Sequence, residues 1–559
     1  MLLAISMIIW ILPNRTVAQD PDSLLTEWLS ASEWMDIAAY PDIAADWLAD
    51  LDTLSGDRDT SGIPVVHLLT VSLPAGACLF DWRRDSGNFV SPVSMKYRIR
   101  IRGGRRWECR IQTNHPAGDT CFLPPREGFP KSLSAGLLVR PGSLVREVIV
   151  GDYQMSVGFG VVAGSSPVFG TALGDPSPLA RTGTGMRLHS GNTSAPFLRG
   201  MAALIPTGKS ELTLFGSGRS TTGAGAAGVA WKRTFASFEA GLTMAGSGNQ
   251  DPPQVKKDWN DNLQPDSGRF IRAGIWGRIR TPFGLFFSEL GWSPSGGYAW
   301  TGGIRLFDVH GFSAVLKAAG CSAAYPVPFS IFQSGSGQIR EGRKMIAAFR
   351  YALGSRVEWT GSGEVNRSTW PGGTRFGDAT TRMIHQFRYT AREHWRLIGS
   401  IQLDFKEKAG RQPQKLLWKL SFDSDPERSG AIRLRSGIRG QMQGFGSSLH
   451  FGTTADCSLC LALAGKAILL TSGFRLFSTD SGTDPLYAYE PDVRYGFSAP
   501  VLSGSGSRFY ITGRCKLLNF IDLEIKVSRS AYTDLKHVSD GNDGGWSGKV
   551  QVGFREGGH

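Results

Sequence analysis

The sequence predicts an all-β protein: a large transmembrane antiparallel β-barrel of about 24 strands (22–26), with a short N-terminal helical segment. Three observations carry this prediction. Apolar and charged residues alternate with period two from about residue 92 to the C-terminus. Short and long connections take turns along the chain. Of 559 residues, 71 are glycine and 11% are aromatic, including 16 Trp and 31 Phe, while only 19% are charged. Glycine is well above its usual share of ~7% and charge is below the usual ~25%. The aromatic content excludes disorder. After the first dozen residues no apolar run of ~20 residues exists, which excludes a helical membrane protein. A collagen-like Gly-x-y period is absent.

Residues 1–18 read as a signal peptide. Met1 to Leu12 are apolar except Ser6, Pro13 ends the run, and Thr16-Val17-Ala18 offers small residues for cleavage before Gln19. The n-region carries no Lys or Arg. Export places the rest of the chain in the cell envelope or outside, and the expected location is the outer membrane of a Gram-negative cell.

Residues 19–61 form an acidic segment, expected to be helical and to lie in the periplasm or the lumen. Positions 19–60 hold 11 Asp and Glu against one basic residue, Arg58, whereas the chain from 61 onward holds 59 Lys and Arg against 37 acids. Leu25, Trp28 and Leu29 share one helical face, as do Ile43, Trp47, Leu48 and Leu51, with Pro41 between the patterns. Helices this short are marginal alone and need something to dock on.

Residues 62–559 are the expected barrel. Lys96, Arg98, Arg100 and Arg102 alternate with Tyr97, Ile99 and Ile101. Arg433, Arg435 and Arg439 alternate with Ile432, Leu434 and Ile438, and Thr512, Arg514 and Lys516 with Ile511, Cys515 and Leu517. Side chains alternate faces along a strand, so each segment has one apolar and one charged face. A barrel with lipid outside and water or a plug inside uses that pattern routinely. The basic rows are therefore expected to face the lumen. They either hydrate it and pair with whatever fills it, or focus positive potential on an anionic solute or polymer.

Short turns are expected at Gly103-Gly104, Pro141-Gly142, Pro206-Thr207-Gly208, Arg280-Thr281-Pro282, near Gly354 and at Leu518-Asn519. Long connections are expected over roughly 115–132, 153–194, 246–267, 320–343, 366–380, 478–504 and 529–545. For all short turns to share one rim, an extra strand must precede 92–102, and Ile63 to Leu73 supplies it. A barrel wider than ~22 strands needs a filled lumen. One candidate is the 153–194 connection, 42 residues with eight glycines, expected to fold back inside. Arg181, Arg187 and Arg199 would then pair with carboxylates such as Glu108 or Glu147. The acidic N-terminal segment is the other candidate.

The most specific stretch runs from Val145 to Arg199. It contains Gly151-Asp152-Tyr153-Gln154, then Gly158-Phe159-Gly160, Gly183-Thr184-Gly185-Met186-Arg187-Leu188, and Arg199-Gly200. The ordered set resembles a family of Gram-negative outer-membrane barrels that carry helix-hairpin-helix repeats before the barrel. In that family a strand ends in Gly-Asp-Tyr-Gln and an Arg-Gly pair opens the next. The resemblance implies the barrel plan and, through the repeats, DNA handling at the cell surface as an alternative function. The N-terminus departs from the family: Ala39-Tyr40-Pro41-Asp42-Ile43-Ala44 is at best a degenerate repeat. Ten net negative charges over 19–60 would repel a phosphate backbone. DNA is therefore not an expected partner. Outer-membrane lipid is, together with an anionic solute or an envelope protein.

No enzyme chemistry is legible. The nine histidines form neither HExxH nor an i, i+4 pair. Thr207-Gly208-Lys209-Ser210 ends like a phosphate loop but has Ala203 in place of the first glycine and reads as a hairpin. Gly183-Thr184-Gly185 lacks the third glycine of a dinucleotide site, and no G-x-S-x-G elbow occurs. Seven cysteines, an odd number, include Cys457 and Cys460 as a lone CxxC, and Cys109 with Cys121 could close a short loop. No catalytic, cofactor or metal residues are assigned. The expected function is a plugged channel or envelope transport or assembly component. A ligand-gated importer with a separate plug domain fits less well, because too few residues precede the first strand.

Overall fold

The computed structural model describes strand 65–73 and most of the chain from 83 to 556. Residues 1–64, 74–82, 116–132, 165–176, 190–196, 249–268, 326–341, 369–378, 534–544 and several shorter stretches lie outside the described residues. The signal peptide, the acidic segment, Cys78 and Cys121 fall there.

The described strands close into one antiparallel ring. Strand Val65–Leu73 pairs on one side with Ser94–Gly103 and on the other with Trp546–Glu556, in register from Val65↔Glu556 to Leu73↔Gly548. The sheet has 25 strands, and one of them, Gly185–Leu188, pairs only with Glu147–Ser156. The remaining 24 make the wall, the expected number, and the strand at 65–73 is the one the turn parity demanded. At ~4.8 Å between strands tilted by ~40°, such a ring is roughly 45–50 Å across.

Alternation decides which way each side chain points. Leu242, Met244, Ile271, Ile275, Leu290, Ile401, Ile438 and Phe474 are about half exposed, while the intervening Thr243, Arg272, Glu289, Gln402 and Arg475 are buried. Exposed apolar side chains recur this way along the strands whose side chains are described. A surface of that extent belongs in lipid. Aromatic residues mark both rims: Trp292 and Tyr298 flank the 293–297 turn, and Phe235, Phe238, Phe283, Tyr389 and Trp395 lie at the opposite end. The barrel spans a membrane.

The expected short turns at 103–104, 141–142, 206–208, 280–282 and near Gly354 lie at one rim, and Leu518 pairs with Ile521 there, with residues 519–520 of the sixth outside the described residues. Gly208, at φ 66°, makes the 207–210 segment a two-residue hairpin, as read from the sequence, and no phosphate loop forms. Cys457 is exposed and Cys460 half-buried, both free thiols. Three residues apart on a strand they point to opposite faces, so the CxxC is no redox pair. Long connections gather at the other rim, and two of them have described segments inside the ring, with Tyr325 of a third packed against the first. The first is 157–189. The second is 486–502, where Leu486–Tyr487 and Val501–Leu502 form a small ribbon.

Candidate functional site

The first infolded connection begins at a strand that leaves the wall. Glu147–Ser156 pairs with Leu133–Val139 only from Val139↔Val148 to Gly136↔Gly151. It pairs with Leu198–Thr207 as far as Tyr153↔Leu198. Beyond that, Gln154 to Ser156 pair with Gly185–Leu188 and no longer with the wall, and Ser156 also bridges Gly164. Gly151, at φ 102°, is the point of departure. A Cβ there would lie 2.3 Å from the Ala135 carbonyl oxygen, so only glycine fits. The motif residues lie around it. Asp152 is paired with Arg199 at 2.6 Å, and its Oδ2 also accepts from Ala135 N at 3.3 Å. Arg199 Nη2 donates to the Leu133 carbonyl at 2.8 Å. These two side chains satisfy backbone groups of the neighbouring strand that the departing strand no longer pairs. The Tyr153 hydroxyl donates to Gly216 O at 3.0 Å, two strands away. Gln154 accepts from Arg187 Nε at 3.0 Å. Arg199 thus pairs with Asp152, its direct cross-strand neighbour, and not with Glu108 or Glu147. Glu108 is taken by Arg100, Arg102 and Arg110, and Glu147 by Arg140. Arg181 is exposed.

The connection is held at its far end by Glu289 of strand Gly284–Trp292. Phe159 N donates to Oε2 at 2.5 Å and Val162 N to Oε1 at 3.3 Å, and the N–H groups of Gly160 and Val161 reach the same carboxylate. Gly158 and Gly160 have φ of 58° and 84°, which turns successive N–H groups to one side as an anion-binding nest does. Tyr325 donates to Val161 O at 3.2 Å. Around this polar clasp the packing is apolar. Tyr153, Met155, Val162, Met186 and Leu188 meet the inward-facing Ala202, Phe215, Ala226 and Ala245. Phe159, Leu179 and Ala180 meet Trp276, Phe287, Val315 and Ile346. The wall under this connection is therefore apolar on its inner face as well, a departure from the alternation seen elsewhere. His189 stacks on Phe197 at 4.3 Å between ring centres. Burial pushes its pKa down to about 4, against the opposing pull of Asp152.

The rest of the lumen is charged. Arg98 donates to Gln112, and Arg100 and Arg102 share Glu108 with Arg110. Arg433 and Arg435 share Asp423 at 2.6 and 3.3 Å, and Arg514 pairs with Glu524 at 3.3 Å. Arg439 donates to the Tyr487 carbonyl. Lys96 is exposed within electrostatic range of Asp492 and Lys549, and Lys516 is exposed at a strand end opposite Asp522. Wall carboxylates thus engage much of the basic row.

The second infolded connection brings its own carboxylates into the wall. Glu490, fully buried, lies 2.5 Å from Arg508, 3.2 Å from Lys526 and 3.6 Å from Arg475. Asp492 lies 2.5 Å from Lys549. Arg475 Nη2 donates to Tyr489 O, and Thr512 to Pro491 O. Burial alone would raise the Glu490 pKa, but Arg508, Lys526 and Arg475 hold it below the usual carboxylate range. These four cations were not singled out in the sequence. The signal was there: Arg475 sits between Phe474 and Leu476, and Lys526 between Ile525 and Val527.

Ring, lipid-facing belt and occupied polar lumen define a large transmembrane β-barrel. No family model matches the chain, and no curated protein matches it. Solved structures similar to it include the copper transporter OprC, with TM-score 0.44 and 9% identity over 89% of this chain and 81% of that one. The FrpB iron transporter from Neisseria meningitidis gives 0.41 and 9% over 90% and 83%. OpdK of Pseudomonas aeruginosa, solved with vanillate, gives 0.32 and 8% over 60% and 92%. The lumen residues, not these likenesses, carry the reading that follows.

Proposed function

We propose that the protein is an outer-membrane transport channel of a Gram-negative envelope, with no enzymatic step, whose lumen is plugged by its own 157–189 and 486–502 connections. The observation that carries this is the Glu289 clasp: four backbone N–H groups of a connection converge on one buried carboxylate of the wall. A solvent-exposed outer loop has no use for such an anchor. Membership in the helix-hairpin-helix-associated barrel family belongs to this reading. It is supported by Gly151, Asp152, Tyr153, Gln154, Arg199 and Gly200 sharing one task, the departure of a strand from the wall.

Two measurements test the reading. Fractionation should recover the protein in the outer membrane with heat-modifiable gel mobility. In a cysteine-free background, Ala163→Cys and Ala180→Cys, both buried, should resist a membrane-impermeant maleimide on intact cells and react after denaturation. Recovery in the soluble periplasm, or rapid labelling of both positions on intact cells, would contradict it.

A further inference from the structure

We infer that the Arg475–Arg508–Lys526–Lys549 cluster is a binding site for a small multivalent oxyanion, occupied in this structure by the protein's own Glu490 and Asp492, and that a solute anion displaces the 486–502 connection by competing for it. The inference rests on the channel reading only for what the displacement does, not for the site itself.

Four cations reach the lumen from neighbouring strands: Arg475 from Ile468–Thr479, Arg508 from Ser505–Leu518, Lys526 from Ile521–Tyr532 and Lys549 from Trp546–Glu556. Arg475 and Lys526 are 5% and 3% exposed. Buried like charges side by side require an anion. The wall supplies Ser528 and Ser530, which accept from Arg508 at 3.0 and 2.7 Å but carry no charge. The neutralising groups come from the connection: Glu490 accepts two hydrogen bonds from Arg508, and Asp492 accepts one from Lys549. Among the described residues, two carboxylates, Glu490 and Asp492, make the ion pairs seen with these four cations, so the cluster carries more positive than negative charge. Its hydrogen-bonding capacity is also unspent, since Arg475 Nε and Nη1 are buried with no acceptor among the described residues. Nη1 is 3.6 Å from Glu490, close enough for attraction and too far for a hydrogen bond. A ligand with three or more oxygens in two charged groups, or in one phosphate group, would use donors that a single carboxylate leaves idle.

The consequence is a coupled equilibrium. When the connection leaves the lumen, the cluster loses both carboxylates and must find others. An anion binds only that released state, so it shifts the population towards release. The connection is otherwise fastened by Arg439, Arg475 and Thr512 to the carbonyls of Tyr487, Tyr489 and Pro491, and an arriving anion weakens the second of these bonds by drawing the Arg475 guanidinium to itself.

The test uses the full chain in liposomes with a single thiol at Val493→Cys, a site 1% exposed in the connection and without charge. Inorganic phosphate and succinate are titrated against chloride at matched ionic strength, and the maleimide labelling rate is read. Labelling should rise several-fold with at least one of the two anions and not with chloride. Phosphate alone would mark a tetrahedral site, and succinate alone a pair of carboxylate subsites. Glu490→Gln in the same background, checked for heat-modifiable mobility, should label rapidly with no anion added. Protection at Val493→Cys that neither anion relieves overturns the proposal, even if Glu490→Gln does not fold. Ionic current recorded in parallel, on the same thiol variant with Val157 to Gly183 replaced by a short Gly-Ser linker so that the first connection no longer blocks the lumen, separates the two ideas. Labelling that rises with no current leaves the site standing and removes the channel. Current without any response to either anion does the reverse.

Discussion

At the scale of single residues, the account turns on positions where one atom decides. Gly151 is held at φ 102° with no room for a Cβ. Gly151→Ala should therefore combine backbone strain with a collision against the Ala135 carbonyl, a loss of roughly 2 kcal/mol or more. Gly104 also has a positive φ, of 55°, but open space around it. Gly104→Ala should lose only about 1 kcal/mol. Urea titration of the folded, heat-modifiable species checks the contrast, and equal losses would refute the role given to Gly151. Glu289→Ala leaves several buried N–H groups without an acceptor and should loosen the 157–164 turn by roughly 2 kcal/mol. Maleimide reaction at Ala163→Cys should accelerate accordingly. Gly151 to Gln154 and Arg199-Gly200 stood out in the sequence as a set through their resemblance to a known barrel family. The sequence could not reveal that Asp152 faces Arg199, because that depends on the register of two strands joined through a long connection. Glu289 was invisible for another reason: an inward carboxylate on a barrel strand is unremarkable until something docks on it.

At the scale of elements, the two connections respond to acid differently. His189 has a folded pKa of about 4, below the ordinary value of 6.5. Its neutral form is the one that packs, so its contribution to docking is complete above about 6.5, weakens as pH falls from there, and is lost below about 4. Glu490 has a folded pKa below the ordinary carboxylate value, because Arg508, Lys526 and Arg475 outweigh its burial. Its contribution is present above the ordinary carboxylate pKa and is lost only as pH drops through the lower folded value. On acidification, the segment at 185–189 should therefore open before the one at 486–493. Hydrogen exchange across a pH series, corrected for the intrinsic rate, reads this order, and the reverse order would contradict it. Strands and turns were legible element by element, since period two and Gly or Pro at the turns are local signals. The interior of the long connections was not. Their glycines and scattered apolar residues say that something packs, and only the closed ring says against what. The apolar inner face at Ala202, Phe215, Ala226 and Ala245 hides in the sequence as an apparent loss of alternation.

At the scale of the whole molecule, the closure of 24 strands follows from counting parity, and the sequence carried that count because short and long connections alternate along most of the chain, though not at Phe445↔Ser448, where two residues join the strands at the rim of the long connections. What fills a ring roughly 45–50 Å across does not follow from parity. It follows from inward-facing chemistry that is apolar on one side and cationic on the other, each side matched to its own connection. The direct measurement is the current through single barrels in a planar bilayer, comparing the wild-type protein with a variant in which Val157 to Gly183 are replaced by a short Gly-Ser linker. Both must show the same heat-modifiable mobility. The account predicts a nearly closed wild type and a several-fold larger unitary conductance in the shortened variant. Equal conductance in the two would mean that the connection does not obstruct the lumen.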